Sequence, residues 1–384
     1  MSTGRGMRTR RVVTGALVTC WLVLGADART PSIVLLSENG DVVRDWSAAL
    51  DLVVGEHEAE VGGRTVWHVH TMRPDGGERD VRTGWGAGAP PATCHHGFAH
   101  FHPSGRYLLM SVESDEDRQR PCGNANSVPG VAAFANLWVV DLVSGAWTNL
   151  TNYSGWRRAQ LYGALSPYFS PDGTKVVWSK LVKPSTGARD KYFGEWELHV
   201  ATFSWDNTPR LEDDRVLRSG HLYESHGFSP DGTKLLYSSD QGLAFSGGLD
   251  LFELDLASGD ARNLTNTPAA YDEHARYSPD GQWVVWGSGE GVEGQGPERT
   301  FWSEVNVMRL DGTERRRLTN ANLPEQPESC GGCGNWPTTW SPDGTQVLFA
   351  QQMFPGGRQP DRMWRLDVAR APVPAPSLQV RPHK

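Results

Sequence analysis

The sequence predicts an all-β protein, a β-propeller of six four-stranded blades, with seven blades as the alternative. Two repeated sequence patterns and the composition of the 384-residue chain support this fold class. Glycine (43), proline (25) and tryptophan (16) are abundant, whereas long tracts of Ala, Leu, Glu and Lys are missing. This composition is typical of β proteins with many turns.

The first pattern is a hairpin that occurs five times. Each copy places an aromatic residue before a four-residue turn, in most copies Ser-Pro-Asp-Gly, and an apolar run after it. Pro presets φ at the second turn position, Asp can close the turn through its own side chain, and Gly accepts a positive φ. The copies begin at Phe101, Phe169, Phe228, Tyr277 and Trp340. Each copy therefore predicts two strands joined by a tight turn.

The second pattern follows most of these hairpins and predicts the other two strands of a blade. Residues 251–265 contain two apolar runs joined by a Ser-Gly turn, and residues 137–151 and 305–319 repeat this design. Four antiparallel strands per repeat are the blade of a β-propeller. The turn prolines at positions 103, 171, 230, 279 and 342 are about 60 residues apart on average, which fits six repeats.

The N-terminal part lacks the Ser-Pro-Asp-Gly turn but keeps the second pattern, clearly at 66–83 and faintly at 33–47. The copy at 66–83 is expected to end a degenerate opening blade. The fainter copy is expected to close the ring by pairing with the last blade, which ends at residues 363–368, and closure removes an exposed sheet edge. The propeller is thus assigned to residues 29–370, and the Pro-rich residues 371–384 to an unstructured tail.

The first 28 residues are interpreted as a secretory signal peptide. Arg8, Arg10 and Arg11 precede an apolar stretch at 12–25, and Ala26-Asp27-Ala28 is a small-x-small cleavage pattern. We therefore predict a periplasmic or secreted protein, exported through the general secretory route or, because of the paired arginines, the twin-arginine route.

The composition of the remaining chain argues against two features, a nucleic-acid partner and a membrane span. After residue 28 the chain carries 33 basic and 44 acidic residues, a net charge of −11, and no basic cluster, which argues against a nucleic-acid partner. It also has no apolar run of about 18 residues, so no membrane span is predicted.

The repeat carries a family resemblance. The phrase aromatic-Ser-Pro-Asp-Gly-x-x-apolar-apolar-aromatic, followed by Asp-Gly and Leu-Thr, resembles the repeat of TolB-type β-propellers over roughly residues 95–370. TolB itself is a periplasmic component of an envelope complex and has an N-terminal α/β domain, for which this chain has no room. Related propellers include protein-binding modules, regulatory domains of peptidases and sugar-acting lyases, so the resemblance implies a fold and leaves the function open.

Propeller geometry predicts which residues surround the mouth of the central channel. The segments before each first strand, and the loops between second and third strands, lie on the face opposite the Ser-Pro-Asp-Gly turns. Two successive repeats carry a Tyr-acid-x-His sequence in those segments, and other blades place His or Trp there. The candidate ligand-binding residues are Tyr223, Glu224, His226, Tyr271, Asp272, His274, His95, His96 and Trp336.

Two interpretations of these residues remain open. His226 and His274, with carboxylates beside them, suit a divalent metal ion or proton transfer, and the tyrosines suit proton donation or stacking on a sugar. In the competing interpretation, these side chains only satisfy hydrogen bonds between blades around a wet channel. The sequence assigns no complete set of metal ligands and no catalytic residue.

The four cysteines after residue 28 predict structural disulfides. Cys94 precedes a first strand and Cys122 lies in the following loop between second and third strands, so both belong to the mouth face and can pair. Cys330 and Cys333 can form a small local ring. The alternatives for the Cys-Gly-Gly-Cys segment are a redox motif and half of a zinc site.

Three functions fit these observations. The first, favoured because no catalytic signature is complete, is an exported propeller that binds a protein or an envelope ligand at its mouth face. The second is a polysaccharide lyase or other metal-assisted sugar-acting enzyme resembling oligogalacturonate lyase, in which histidines hold a metal ion. The third is a regulatory domain of an enzyme, although no hydrolase pattern follows residue 370.

Overall fold

A computed structural model describes residues 33–115, 122–153, 162–185, 193–243, 247–292, 301–353 and 360–368. The predicted signal peptide and C-terminal tail therefore lie outside the described residues. The described chain forms six four-stranded antiparallel sheets, the blades of a six-bladed β-propeller, which confirms the predicted fold class.

The first three blades follow the chain order. Blade 1 consists of β2 (Val42–Ser47), β3 (Leu52–Val61), β4 (Arg64–Met72) and β5 (Asp80–Val81). Blade 2 consists of β6 (His96–Phe101), β7 (Tyr107–Glu113), β8 (Ala135–Asp141) and β9 (Trp147–Asn149). Blade 3 consists of β10 (Ala164–Phe169), β11 (Lys175–Lys183), β12 (Glu195–Ser204) and β13 (Arg210–Arg218).

The last three blades include the strand that closes the ring. Blade 4 consists of β14 (Glu224–Phe228), β15 (Lys234–Ser239), β16 (Asp250–Asp255) and β17 (Ala261–Asn263). Blade 5 consists of β18 (Asp272–Tyr277), β19 (Trp283–Ser288), β20 (Glu304–Arg309) and β21 (Arg316–Arg317). Blade 6 consists of β22 (Cys333–Trp340), β23 (Gln346–Met353), β24 (Arg362–Asp367) and β1 (Ile33–Ser37).

Blade 6 joins the two ends of the propeller. Strand β1 pairs with β24 in antiparallel register, with Ile33 opposite Leu366 and Leu35 opposite Trp364. The N-terminal strand therefore forms the outer edge of the blade whose other strands come last in the chain. This confirms the predicted closing role for residues 33–37, whereas residues 42–47, which belong to the same sequence copy, form the inner strand of blade 1.

The Ser-Pro-Asp-Gly turns close through their own side chains, as expected. In blade 3, Asp172 Oδ1 accepts hydrogen bonds from Ser170 Oγ (2.5 Å) and Thr174 N (3.0 Å), and Gly173 has φ of +73°. The equivalent aspartates of blades 4, 5 and 6 repeat this arrangement. These local bonds fix the hairpin register and so place each blade's inner strand beside the channel.

Every inner strand carries a β-bulge in its middle. Phe98, Ser166 and His274 lie at these bulges with positive φ, which is unusual for residues with a side chain. A bulge re-aims the side chains on either side of it. The position of the bulge therefore decides which residues face the channel.

The hydrophobic core lies between neighbouring blades. Trp178 and Trp286 are 1% and 0% exposed, so these two tryptophans belong to the core. Burial of one large apolar side chain stabilises the fold by ~1.5–3 kcal/mol. Both predicted disulfides are present, Cys94–Cys122 and Cys330–Cys333. No helix in the described part of the chain has the length and apolarity needed to cross a bilayer.

Candidate ligand-binding site at the channel mouth

The central channel contains two separate cavities. The mouth cavity has a volume of about 650 Å³, and the cavity beside the Ser-Pro-Asp-Gly turns has about 360 Å³; no described residue lines both. Two arginines lie between them. Arg276 Nη2 donates to the backbone oxygen of Arg44 (2.8 Å), and its guanidinium stacks 4.2 Å from the centre of the Tyr168 ring.

The walls of the mouth cavity are mostly apolar, although Asn126, Ser185 and Gln352 also line it. Most of the apolar residues belong to one hydrophobic cluster that the inner strands and the mouth-face loops of several blades build together. Members of this cluster that line the cavity include Phe98, Phe134, Leu181, Trp196, Leu222 and Trp336. Cavities of this size and lining typically bind small molecules or single side chains.

Two glutamates form the floor of this cavity. Glu224 begins β14 and Glu273 is the second residue of β18, and their carboxyl groups lie close enough to interact. Two adjacent buried carboxyl groups cannot both ionise without strong repulsion, so one of them keeps a proton. Ser166 Oγ donates to Glu224 Oε1 (2.7 Å), and the Tyr271 hydroxyl donates to Glu273 Oε2.

The floor carboxyl groups resist ionisation. Burial raises the pKa of Glu224, and burial together with repulsion from Glu224 raises the pKa of Glu273 well above its usual range. Arg44 lies close enough to oppose both shifts, but it is itself paired with Glu56, whose Oε1 accepts from Arg44 Nε at 2.7 Å. A buried proton-sharing pair of this kind is characteristic of functional sites.

Two histidines lie beside the glutamates. His274 Nε2 is 3.3 Å from Glu273 Oε2, and its ring is nearly parallel to Trp336, with 6.2 Å between ring centres. The His226 ring is 5.9 Å from His274, and its Nε2 lies 2.6 Å from Ser238 Oγ. Burial lowers the pKa of His226 to about 3, and burial with Arg44 nearby lowers the pKa of His274 well below its usual range. Both imidazoles are therefore neutral at pH 7.

The structure gathers part of the predicted residue set at the mouth. Glu224, Tyr271, His274 and Trp336 line the mouth cavity. His226 lies directly beneath His274 and lines the cavity on the turn face instead.

The other predicted residues are buried inside blades. Asp272 accepts a hydrogen bond from Trp286 Nε1 (3.0 Å) within blade 5, and the Tyr223 hydroxyl donates to Gln241 Oε1 (3.1 Å) in blade 4. His95 Nδ1 accepts from the backbone of Trp67 (3.1 Å).

His96 lies beside the Cys94–Cys122 disulfide, where its Nδ1 is 2.9 Å from the backbone oxygen of Cys94. It therefore belongs to the same interior region as His95. Tyr223 and Asp272 thus hydrogen-bond within their own blades and His95 to the neighbouring blade, whereas Nε2 of His95 and Nε2 of His96 are buried without a hydrogen-bond partner.

Sequence reasoning missed Glu273 and Arg44. Glu273 was overlooked because the two Tyr-acid-x-His segments align Glu224 with Asp272. The available signal was the spacing to the turn proline, since Glu224 and Glu273 each stand six residues before it. Arg44 carries no sequence signal, because its blade lacks the Ser-Pro-Asp-Gly turn.

Comparisons with known proteins agree with the architecture. No protein-family model matches the chain. TolB from Acinetobacter baumannii superposes with a TM-score of 0.51 at 16% identity, covering 88% of this chain and 66% of that one. A puromycin-hydrolyzing peptidase of Mycobacterium tuberculosis superposes with a TM-score of 0.50 at 16% identity, covering 86% and 52%. The fold is therefore a TolB-like β-propeller.

Sequence comparison finds more limited similarity. Dipeptidyl-peptidase 5 of Porphyromonas endodontalis is 27% identical over 164 residues, which are 33% of this chain and 24% of that protein. The chain thus spans about a quarter of the length of the curated relatives it matches. These likenesses establish the fold and assign no activity to this chain.

Proposed function

We propose that the protein is a binding module whose mouth cavity takes a ligand with an apolar body and a cationic end. The observation that supports this is the composition of the cavity, mostly aromatic and aliphatic walls above a floor of two adjacent buried glutamates. The walls offer apolar area to a ligand body. An ammonium group at the floor replaces the shared proton and allows both carboxyl groups to ionise, which relieves their mutual repulsion. A lysine side chain or a chain N-terminus of a protein partner carries this chemistry.

Two probes with the same body and opposite charges test the proposal. We expect phenethylamine to bind at least tenfold more tightly than 3-phenylpropanoate by isothermal titration calorimetry at pH 6, which corresponds to ~1.4 kcal/mol. Titrations in buffers of different ionisation enthalpy should show that amine binding releases protons. Equal affinity for the two probes, or absence of binding by both, contradicts the proposal.

Glutamine variants locate the preference at the floor. In Glu224→Gln/Glu273→Gln, the preference for the amine and the proton release should both disappear, because neither group can then ionise. The matched control is Glu58→Gln, which removes an exposed carboxylate of blade 1 away from the cavity. A double variant that still prefers the amine would place the binding elsewhere.

We also propose that the protein is exported to the periplasm or beyond. The signal-like sequence at 1–28 supports this, and so do the two disulfides, because disulfides persist in oxidising compartments. Cell fractionation followed by N-terminal sequencing should give a protein that begins at Arg29. A cytoplasmic protein that retains residues 1–28 and free thiols would refute this.

A metal-assisted sugar-acting enzyme is the second candidate, and one donor group favours it. Glu224, His226 and His274 each offer one ligand atom, and these atoms lie within 4.8 Å of one another. His226 Nδ1 is buried without a hydrogen-bond partner, while Ser238 orients the other nitrogen of that ring. This donor set therefore fits a divalent ion, and a bound ion would supply a Lewis acid that stabilises an enolate.

The charge of the cavity floor places this enzyme second. Glu224 and Glu273 repel an acidic sugar, whereas they attract a cationic group. Metal analysis of the wild-type protein and of His226→Ala/His274→Ala decides between the candidates. Stoichiometric metal that the variant loses, together with uronate-unsaturation absorbance on acidic polysaccharides, would establish the enzyme; absence of both would eliminate it.

A further inference from the structure

A second group of metal-ligand side chains lies in blade 1, outside the channel. Asp41, His57 and His70 each offer one donor atom, and these atoms lie within 4.8 Å of one another. The two Nδ1 atoms of the histidines are 3.0 Å apart, and His70 Nε2 is 3.3 Å from Asp41 Oδ1. None of the three residues lines the mouth cavity or the turn-face cavity.

The register of blade 1 brings these residues together. In the β3–β4 hairpin, His57 is opposite His68 and Gly55 is opposite His70, so His57 and His70 are diagonal neighbours on one face of the sheet. Asp41 immediately precedes β2, whose first pair is Val42 with Glu56, and it therefore lies next to His57. Asp41, His57 and His70 thus lie together on one face of blade 1, with His70 in contact with both of the others.

The carboxylate is oriented by groups that leave one oxygen unpaired. Ser37 Oγ and Arg79 Nη2 both donate to Asp41 Oδ2. Asp41 Oδ1 is buried and has no hydrogen-bond partner, and the same holds for His70 Nε2, the atom that it faces. These two buried atoms are 3.3 Å apart but form no hydrogen bond, so a shared ligand would satisfy both.

The spacing of these two atoms matches a shared metal ion. Two ligand atoms about 2.05 Å from a tetrahedral ion are ~3.4 Å apart, close to the observed 3.3 Å. A carboxylate whose second oxygen is hydrogen-bonded is the usual arrangement around a protein-bound metal. His57 is half-buried and gives solvent access to the group.

The surrounding charges select the class of ion. Each neutral imidazole offers one nitrogen lone pair to a metal ion. Only one carboxylate is present, and Arg79 already neutralises it. Mg²⁺ and Ca²⁺ depend on several oxygen ligands, whereas imidazole pairs suit Zn²⁺ and its neighbours.

We propose that Asp41, His57 and His70 form a site for one transition-metal ion of the zinc class, with at least one coordination position open to solvent. The neighbouring His68 is not a ligand, because its Nε2 is 2.9 Å from the backbone oxygen of Ala92. The ion ties together strands of the blade that lacks a Ser-Pro-Asp-Gly turn. The site is independent of any ligand in the channel.

Zinc binding by the mature protein, purified without a histidine tag, tests the site. After removal of metals with a chelator, dialysis against Zn²⁺ and gel filtration, we expect one equivalent of zinc that His57→Ala/His70→Ala loses. His226→Ala/His274→Ala is the matched control and should retain this equivalent. Absence of bound zinc in the wild-type protein, or full retention in His57→Ala/His70→Ala, overturns the proposal.

Co²⁺ absorption spectroscopy on a single variant tests the site even if the double variant fails to fold. With Co²⁺ in place of zinc, the wild-type protein should show visible d–d absorption of a nitrogen- and oxygen-ligated ion. Asp41→Asn keeps the size of the side chain and its contact with Ser37, and should change this spectrum and weaken Co²⁺ binding. A Co²⁺ spectrum that Asp41→Asn leaves unchanged, with unchanged affinity, also overturns the proposal.

Discussion

Replacing Glu273 by Gln should change how the stability of the propeller depends on pH. Burial and repulsion from Glu224 raise the pKa of Glu273 well above its usual range, so the native state keeps a proton there that the unfolded chain loses near pH 4.5. Above pH 4.5 the native state therefore binds more protons than the unfolded state. The free energy of unfolding consequently falls as pH rises, up to the native pKa.

The expected magnitude follows from the number of protons involved. One proton bound only in the native state contributes a slope of ~1.4 kcal/mol per pH unit. The Glu273→Gln variant lacks this proton, so its free energy of unfolding should fall less steeply with pH than that of the wild type, by about this slope. Other shifted groups, such as Asp361 with its pKa raised to about 6 by burial, are present in both proteins and cancel in the comparison.

Urea denaturation followed by tryptophan fluorescence, at half-unit intervals across roughly pH 4–7.5, measures this difference. Glu325→Gln, which removes an exposed carboxylate, should give a curve parallel to that of the wild type. The two curves of Glu273→Gln and wild type should converge in slope below about pH 4, where the carboxyl groups are protonated in both states. Parallel curves for these two proteins over the whole range would refute the assignment of a shared proton at the cavity floor.

Three further predictions concern the scaffold. Gly97→Ala should lower the free energy of unfolding by ~1–3 kcal/mol, because its Cβ would lie 2.5 Å from Pro129 Cγ, whereas the exposed Gly77→Ala should cost less; thermal denaturation compares them. Replacing the Cys94–Cys122 pair by serine should cost ~3.5 kcal/mol against ~2 kcal/mol for Cys330–Cys333, because the sequence separations are 28 and 3. Hydrogen bonds from Ser170 and Thr174 lower the pKa of Asp172 to about 2, so its contribution is present above pH 3.8 and lost as pH falls towards 2; acid unfolding of Asp172→Asn should show a smaller loss over that window.

The fold could be predicted from the sequence because its determinants are local. Each Ser-Pro-Asp-Gly turn makes its own hydrogen bonds, and each fixes the two strands that flank it. The spacing between turns then gives the number of blades. Closure by the N-terminal segment was also predictable, but the sequence pattern matches residues 33–37 to a third strand, whereas they form the outer strand of blade 6.

The site was only partly predictable, because bulges move side chains by one residue. The shared Tyr-acid-x-His sequence pairs Glu224 with Asp272, but the structure places Glu273 opposite Glu224 and Asp272 inside blade 5. Counting back from the turn proline gives the correct alignment. Residues six positions before it, Glu224, Glu273 and Trp336, line the mouth cavity.

Counting residues back from the turn proline also identifies residues at the other end of the channel. His100, Tyr168 and Arg276 stand three residues before their turn prolines, and all three line the turn-face cavity. Counting back from a turn proline does not predict that Asp41, His57 and His70 of blade 1 lie together. This blade has no turn proline, and the three residues meet through the pairing of its strands.

The energetics of the cavity floor argue for a ligand more strongly than its shape does. A purely structural floor is more stable with an apolar residue at one of the two glutamate positions, because burying two carboxyl groups next to each other costs desolvation and repulsion. The neighbouring blades show that such residues fit, since Leu165 stands six residues before its turn proline and lines the same cavity. The glutamates therefore occupy positions where the fold accepts leucine. We infer that they contribute to binding rather than to stability. The Glu224→Gln/Glu273→Gln variant should therefore be more stable than the wild type and should no longer prefer the amine probe.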